Sequence, residues 1–301
     1  MVPKSLIITV VAIASSTSLI LNISLNAVFI FGLFGAPRLG ILGVGIATSI
    51  ARFVEMLVCF VYASRQKDVR FSLGCMLRRN KILTKDFFKY SLPAVGNELV
   101  WGAAFSMYSV ILGHLGEDIV AANSVVNTVR QLGSVLCFGM AYGGAIVLGK
   151  YMGSGDLPLA ERNASRLARV TILSGVLGAI LTICLYPVLP FIATLNETAA
   201  HYRNVLLFIN SYSIIGASIN TVLICGIFRA GGDSKFGFIA DSINMWCVSV
   251  PLGLIAAFVL KLPPLWVYFI LYLDEFEKMP FVFMHYKKKG WLRNITREIK
   301  E

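Results

Sequence analysis

The strongest constraint on this chain is a succession of apolar runs, each about 20 residues or longer, divided by short polar stretches. A bilayer core offers no water to backbone N–H and C=O groups, so only helices or closed barrels can cross it. A helix needs about 20 residues to do so. A barrel strand would show apolar–polar alternation over about 10 residues, and no such alternation is visible. Composition agrees: 57% of residues are hydrophobic and 14% charged, against about 45–50% and about 25% in soluble domains. The reading is an all-α membrane protein.

Eight transmembrane helices are predicted, at 6–34, 41–63, 92–114, 122–148, 168–194, 204–228, 237–259 and 265–286. Pro and Gly mark most breaks, at Gly35 to Pro37, Gly153 to Pro158, Gly231–Gly232 and Pro263–Pro264. The first run is too long for the apolar core of a leader peptide and reads as a membrane helix. Orientation follows from the loops. The start and the segments 64–91, 149–169, 229–236 and 287–301 hold 21 Lys and Arg, and the opposite loops hold 3. Basic loops stay inside, so both termini are expected in the cytoplasm, as an even helix count requires.

The net charge of +11 is thereby explained by topology. The basic stretch 64–90 reads as a linker facing anionic lipid. Nucleic acid is not an expected partner, because aromatic interleaving and a recognisable binding fold are missing. The six cysteines show no C-x-x-C spacing and read as small apolar residues. His114, His201 and His285 lie far apart, so no metal site is expected. A near P-loop at Gly144 to Lys150 fails at Tyr151, where Ser or Thr should hold magnesium. Gly139, Gly143, Gly149 and Gly153 read instead as places of close helix packing.

Ionisable residues inside spans carry the functional information, because a charge at a helix centre costs about 2.5–3.5 kcal/mol on insertion scales. Such a group needs a partner, a wet cavity or a task. Glu98 in the third span and Asp241 in the seventh sit at similar depth from the basic side. The sixth span brings Asn220 and Thr221 to that level, and the seventh adds Asn244. The eighth adds Asp274, Glu275, Glu277 and Lys278, with Tyr268 and Tyr272 on the Glu275 face. Glu275 and Lys278, at i,i+3, can neutralise each other, as can Arg52 and Glu55 in the second span. Glu98 has no base on its own helix and shares a face with Trp101, Gly102 and Phe105, so apolar surroundings and an aromatic wall are expected there. Arg130 lies about 14 Å from Glu98 in depth, at 1.5 Å per residue, which argues against a direct pair.

Several segments resemble the multidrug and toxin extrusion (MATE) family. Ser91–Trp101 resembles the opening of that family's second six-helix lobe, and His114–Asn123 the loop after its first helix. Gly226–Asp233, then Asp241, Trp246 and Pro251, Asp274–Lys278 and Trp291–Asn294 follow in the family's order. Earlier, Asn22–Asn26, Pro37 and Gly45–Thr48 resemble the end of the first lobe. The resemblance implies twelve helices in two lobes, of which this chain carries eight, as in a fragment lacking the first four. Residues 1–63 would be two helices of an incomplete first lobe, 64–90 a basic cytoplasmic linker, 91–286 the complete second lobe and 287–301 a basic cytoplasmic tail.

The implied function is efflux of organic, cationic small molecules, driven by an entering proton or sodium ion, in the bacterial cytoplasmic membrane. No enzymatic step and no cofactor are implied. Glu98 is expected to be the principal coupling acid, with Asp241 and Glu275 beside it. Trp101, Phe105, Asn220, Thr221, Asn244, Tyr268 and Tyr272 are expected around the substrate. A lipid-linked oligosaccharide flippase of similar architecture is one alternative, needing a basic cavity for which Arg130 and Lys278 are the available residues. A non-transporting remnant is another.

Overall fold

The computed structural model describes residues 4–35, 37–65, 80–192 and 194–294, and among them no strand occurs. The central part of the 64–90 linker and the end of the tail, including Lys67, Arg70, Arg78, Arg79 and Cys75, lie outside the described residues. The chain divides into two units, Met1–Asn80 and Lys81–Glu301.

The first unit is a helix hairpin of α1 (Lys4–Phe31) and α2 (Gly40–Arg65). Between them the chain reverses through Gly32, Phe34 and Gly35, all at positive φ. Small residues form the seam: Ala14, Ala47 and Ala51 are buried, as close helix approach in a membrane requires. Polar side chains stitch it. Ser18 donates to the Ala51 carbonyl at 3.0 Å, and Asn22 donates to the Thr48 hydroxyl at 3.1 Å. Arg52 pairs with Glu55 at 2.7 Å, as the i,i+3 spacing predicts, and Glu55 also accepts from Ser15 at 2.6 Å.

The second unit begins with α3 (Lys81–Gly113) and α4 (Glu117–Gly153). Helix α4 opens on Glu117 and Asp118 and ends near Lys150, charges that suit its dipole. In α5 (Leu157–Cys184) the Asp156 carboxylate accepts from Leu159 N at 3.1 Å, with Pro158 in the first turn. After the short α6 (Leu189–Ile192), Asn196 caps α7 (Glu197–Thr221). Helix α7 runs on as a π-helical stretch, Val222–Phe228. Then come α8 (Ser234–Ser242), a second π stretch at Ile243–Ser249, α9 (Val250–Leu254) and a third at Ile255–Val259. The chain ends in three short helices, α10 (Pro264–Leu271), α11 (Asp274–Glu277) and α12 (Met279–Lys287).

Six stretches of described helix are long and apolar enough to cross a membrane, from Ala12–Phe31 to Ser234–Val259. The predicted spans at 92–114 and 265–286 are helical but fall outside that set. The first lies almost wholly in α3, where Asn97 and Glu98 lower the hydropathy of an otherwise apolar stretch. The second is broken at the charged segment Asp274–Lys278. The outward faces are apolar, with Ile146 of α4 at 75% exposure, as a lipid-facing surface must be.

The close helix crossing in α4 is not where the glycine spacing placed it. A Cβ added at Gly139, Gly143 or Gly149 would meet nothing within 4 Å. One added at Gly178 of α5 would lie 2.6 Å from the Gly133 carbonyl. Gly133 and Gly178 therefore let α4 and α5 touch backbone to backbone, while Gly139, Gly143 and Gly149 have open space beside them.

The unit has two apolar clusters. One gathers Tyr108, Val126, Leu206, Met245 and Tyr268; the other Leu148, Leu223, Phe228, Val282 and Trp291. Along α7, α8 and the final helices the chain passes from one cluster to the other through polar residues: Asn220, Asp241, and Glu275 with Lys278. That layer is the candidate site.

Candidate functional site

The final span breaks twice. The chain leaves helical geometry at Tyr272 (φ −94°, ψ 7°), and Phe276 N bonds to the Leu273 carbonyl at 2.9 Å in a tightened i→i+3 turn. The second break, at Lys278, has a local reason: Pro280 has no N–H to donate and its ring crowds the Phe276 carbonyl one turn back. Asp274, Glu275 and Lys278 are all buried there.

Lys278, 4% exposed, is the hub. Its ammonium donates to Asp241 Oδ1 at 3.0 Å and lies 3.1 Å from Glu275 Oε2. Asn97 donates to Asp241 Oδ2 at 2.7 Å. Asn220 donates to Glu275 Oε2 at 2.8 Å and to the Glu275 carbonyl at 2.6 Å. Asp274, 2% exposed, stands beside this network with its Oδ2 unpartnered. Two buried carboxylates thus hold one buried ammonium, with a third buried carboxyl beside them. Desolvated charges of one sign in excess are costly unless a proton or cation joins them.

A small pocket of about 40 Å³ opens on this cluster, lined by Glu98, Asp241, Glu275 and Lys278 with Asn97, Asn220 and Thr221. The three acids chosen from sequence therefore face one space, which has room for a bare cation or a water or two. Glu98 departs from expectation. Its side chain is 55% exposed and pairs with Arg229 at 3.0 Å, so it is neither enclosed by apolar groups nor without a base. The partner comes from the end of the Val222–Phe228 stretch on another helix, which no spacing on α3 could reveal.

The pocket adjoins a larger cavity of about 620 Å³ within the second unit, in the range of drug-sized ligand sites. Trp101, Thr221, Phe138 and Glu275 border both. Phe105 and Tyr272 line the large cavity, with Tyr108, Asn123, Asn127, Arg130 and Asp274. Three expected cavity residues are elsewhere. Asn220 lines only the small pocket. Tyr268 is fully buried behind Tyr272, stacked on it at 4.3 Å and bonded to Asn210. Asn244 donates to the Asp274 carbonyl at 2.8 Å and lines neither space. Sequence reasoning noted Arg130 but passed over its polar neighbours on α4. Asn123, Asn127 and Gln131 recur with it at helical spacing in an apolar span, a pattern that could have marked the cavity wall.

Residues 93–255 match the MatE family model. Among curated proteins, the chain is 25% identical over 279 residues to the uncharacterized transporter YisQ of Bacillus subtilis, covering 91% of this chain and 60% of the relative. It is 27% identical over 249 residues to a probable multidrug resistance protein NorM of Pseudomonas aeruginosa, covering 79% and 50%. Among solved structures, the Vibrio cholerae MATE transporter VcmN in its bent form superposes with a TM-score of 0.72 at 18% identity, over 93% of this chain and 61% of that one. An outward-facing multidrug resistance MATE family transporter gives 0.76 at 17%, over 94% and 63%. The chain spans about half to three-fifths of the length of these relatives. With more than half of its residues matched by the family model and its fold shared with MATE transporters, the chain belongs to the MatE family.

Proposed function

We propose that this chain forms the ion-coupling and substrate-binding lobe of an antiporter that exports organic small molecules, driven by a proton or sodium ion. The supporting observation is the excess of buried acid: Asp241, Asp274 and Glu275 around a single Lys278. An ion entering the small pocket relieves that excess. It competes with Lys278 for Asp241 and Glu275, and with Arg229 for Glu98 at the pocket's edge. Because Glu275 also borders the large cavity, ion arrival and substrate departure are coupled through one carboxylate. Relatives named for multidrug resistance favour a broad range of substrates. A diphosphate-bearing lipid would meet two acids, Asp274 and Glu275, in the cavity wall, which disfavours the flippase reading.

Alternating access requires two lobes that rock about a midplane site. The second unit supplies one lobe and the first unit a helix pair. Export therefore needs further helices that bring the assembly to the length of its relatives, set in the bacterial cytoplasmic membrane with the basic loops inside.

The test separates binding from transport. Purified chain in detergent should bind a monovalent cation or take up a proton, read as sodium- or pH-dependent fluorescence of Trp101. Asp241→Asn with Glu275→Gln should abolish the response, and Trp101→Phe should silence it. In an extended, reconstituted transporter the same acid substitutions should abolish ion-driven export of ethidium. Undiminished coupled export by the Asp241→Asn, Glu275→Gln protein refutes the assignment. Strong export by the present chain alone refutes the need for more helices.

A further inference from the structure

We propose that the outer face of α5 holds an anionic phospholipid, its phosphate gripped by Arg162, Arg166 and Arg169 and its acyl chains laid along Leu173, Leu177 and Ile180. The inference goes beyond the transport reading and requires only that α5 crosses a bilayer.

Helix α5 has two different sides. Ala164, Thr171, Ser174, Gly178 and Thr182 are buried, on the side that packs against α4 and α7. The six residues of the proposed site are all exposed. At about 100° of turn per residue they fall within about 80° of arc, so they form a single stripe.

The stripe changes chemistry along its length. Arg162 to Arg169 covers about 10 Å of axis, and Arg169 to Ile180 about 16 Å, at 1.5 Å per residue. The second length matches one leaflet of hydrocarbon, about 15 Å. With the apolar part of the stripe sunk in lipid, Arg169 therefore stands at the headgroup level, and Arg166 and Arg162 lie further out.

The arginines need an anion. Residues three and four apart on a helix are neighbours, and like charges so placed repel. Arg166 is four residues from Arg162 and three from Arg169. Among the described residues none of the three joins a salt bridge. Glu161, on the flank of the stripe, is engaged by Lys289 at 2.5 Å. Arg169 Nε turns back to its own helix and donates to the Ser165 carbonyl at 3.3 Å. A phosphate diester supplies the missing charge and accepts the paired N–H groups of a guanidinium. Free phosphate would satisfy the arginines but leave the apolar part of the stripe uncovered. Charge thus selects the headgroup, and the apolar run selects a lipid.

The test is native mass spectrometry of the purified chain, released from micelles doped with phosphatidylglycerol and phosphatidylcholine of identical acyl chains. One phosphatidylglycerol should be retained about tenfold or more tightly than phosphatidylcholine, since each basic side chain at a membrane surface contributes about fivefold. Arg162→Gln, Arg166→Gln and Arg169→Gln together should erase that preference at native helix content. Lys81→Gln with Lys85→Gln, which removes basic charge from the start of α3 instead, should keep it. Equal affinity for the two lipids, a preference unchanged in the triply substituted chain, or a preference lost equally in the Lys81→Gln, Lys85→Gln chain overturns the inference. So does displacement of the lipid by an equal concentration of inorganic phosphate, which would mark a site for the anion alone. A dimer that the triple substitution dissolves would put a second copy on this face and overturns it too.

Discussion

Replacing Lys278 with Met tests the buried network most directly. The ammonium is 4% exposed and holds Asp241 at 3.0 Å and Glu275 at 3.1 Å. Met keeps the length and apolar stem but removes the charge. Asp241, Asp274 and Glu275 then lie buried with only amide donors: Asn97 for Asp241 and Asn220 for Glu275. Breaking a buried pair by removing one partner costs about 3–5 kcal/mol. For a unit of this size each kcal/mol moves the midpoint by roughly 2–4 °C, so Lys278→Met should melt roughly 6–20 °C lower at neutral pH. One further result follows if the cause is unpaired acid. Adding Asp241→Asn should recover part of the loss, since one orphaned charge is gone. The assay is thermal unfolding followed by circular dichroism. A melt within about 2 °C of wild type, or a double variant no more stable than Lys278→Met, would show that Lys278 does not hold this cluster together.

Other perturbations probe separate links. Glu98→Gln should leave the melt within a few degrees of wild type, because a partly exposed pair with Arg229 contributes about 0–1 kcal/mol. It should nonetheless lower ion-driven export; poor folding with intact coupling in the surviving protein would make Glu98 structural. Gly178→Leu should separate α4 from α5, since even a Cβ there would sit 2.6 Å from the Gly133 carbonyl. A loss of about 2 kcal/mol or more is expected from overpacking, against almost none for Gly143→Leu, which meets open space. Cysteines at Glu117 and Leu262 should react with membrane-impermeant maleimide in intact cells, and one at Lys288 only after lysis. Labelling of the Lys288 site from outside would invert the orientation read from the basic loops.

Much of the architecture is readable from one dimension because the bilayer imposes it. Length and apolarity place the helices, and turn residues end them: Asp156 and Asn196 both cap through their side chains, as their chemistry allows. The spacing of Arg52 and Glu55, or of Glu275 and Lys278, also foretells pairs on a single helix. What lies between helices is not written in any one of them. Arg229 meets Glu98 across 131 positions of sequence, and Asn97 meets Asp241 across 144. Glycine spacing was equally blind, for Gly143 and Gly178 look alike until the neighbouring helix is placed.

The same limit explains why the depth argument for Glu98 was sound and its conclusion incomplete. Depth along a span put Glu98 and Asp241 at one level and Glu275 near the middle of the last span, and the three line one pocket. Depth says nothing of rotation about the helix axis. Rotation decides that Asp241 points into the protein beside Lys278 while Glu98 opens to the pocket's edge and Arg229. For an ion-coupled site that division has a consequence. The enclosed acids hold their counter-charge rigidly and exchange it at high cost. An acid at the edge, paired to a long flexible arginine, exchanges it at low cost. Under the proposed function, an entering cation would therefore reach Glu98 first and displace Arg229, and only then compete with Lys278 for the interior. Substituting Arg229 with Gln should accordingly ease cation entry and raise apparent ion affinity in the fluorescence assay. A weaker response in that variant would show that Arg229 recruits the ion site's geometry rather than guarding it.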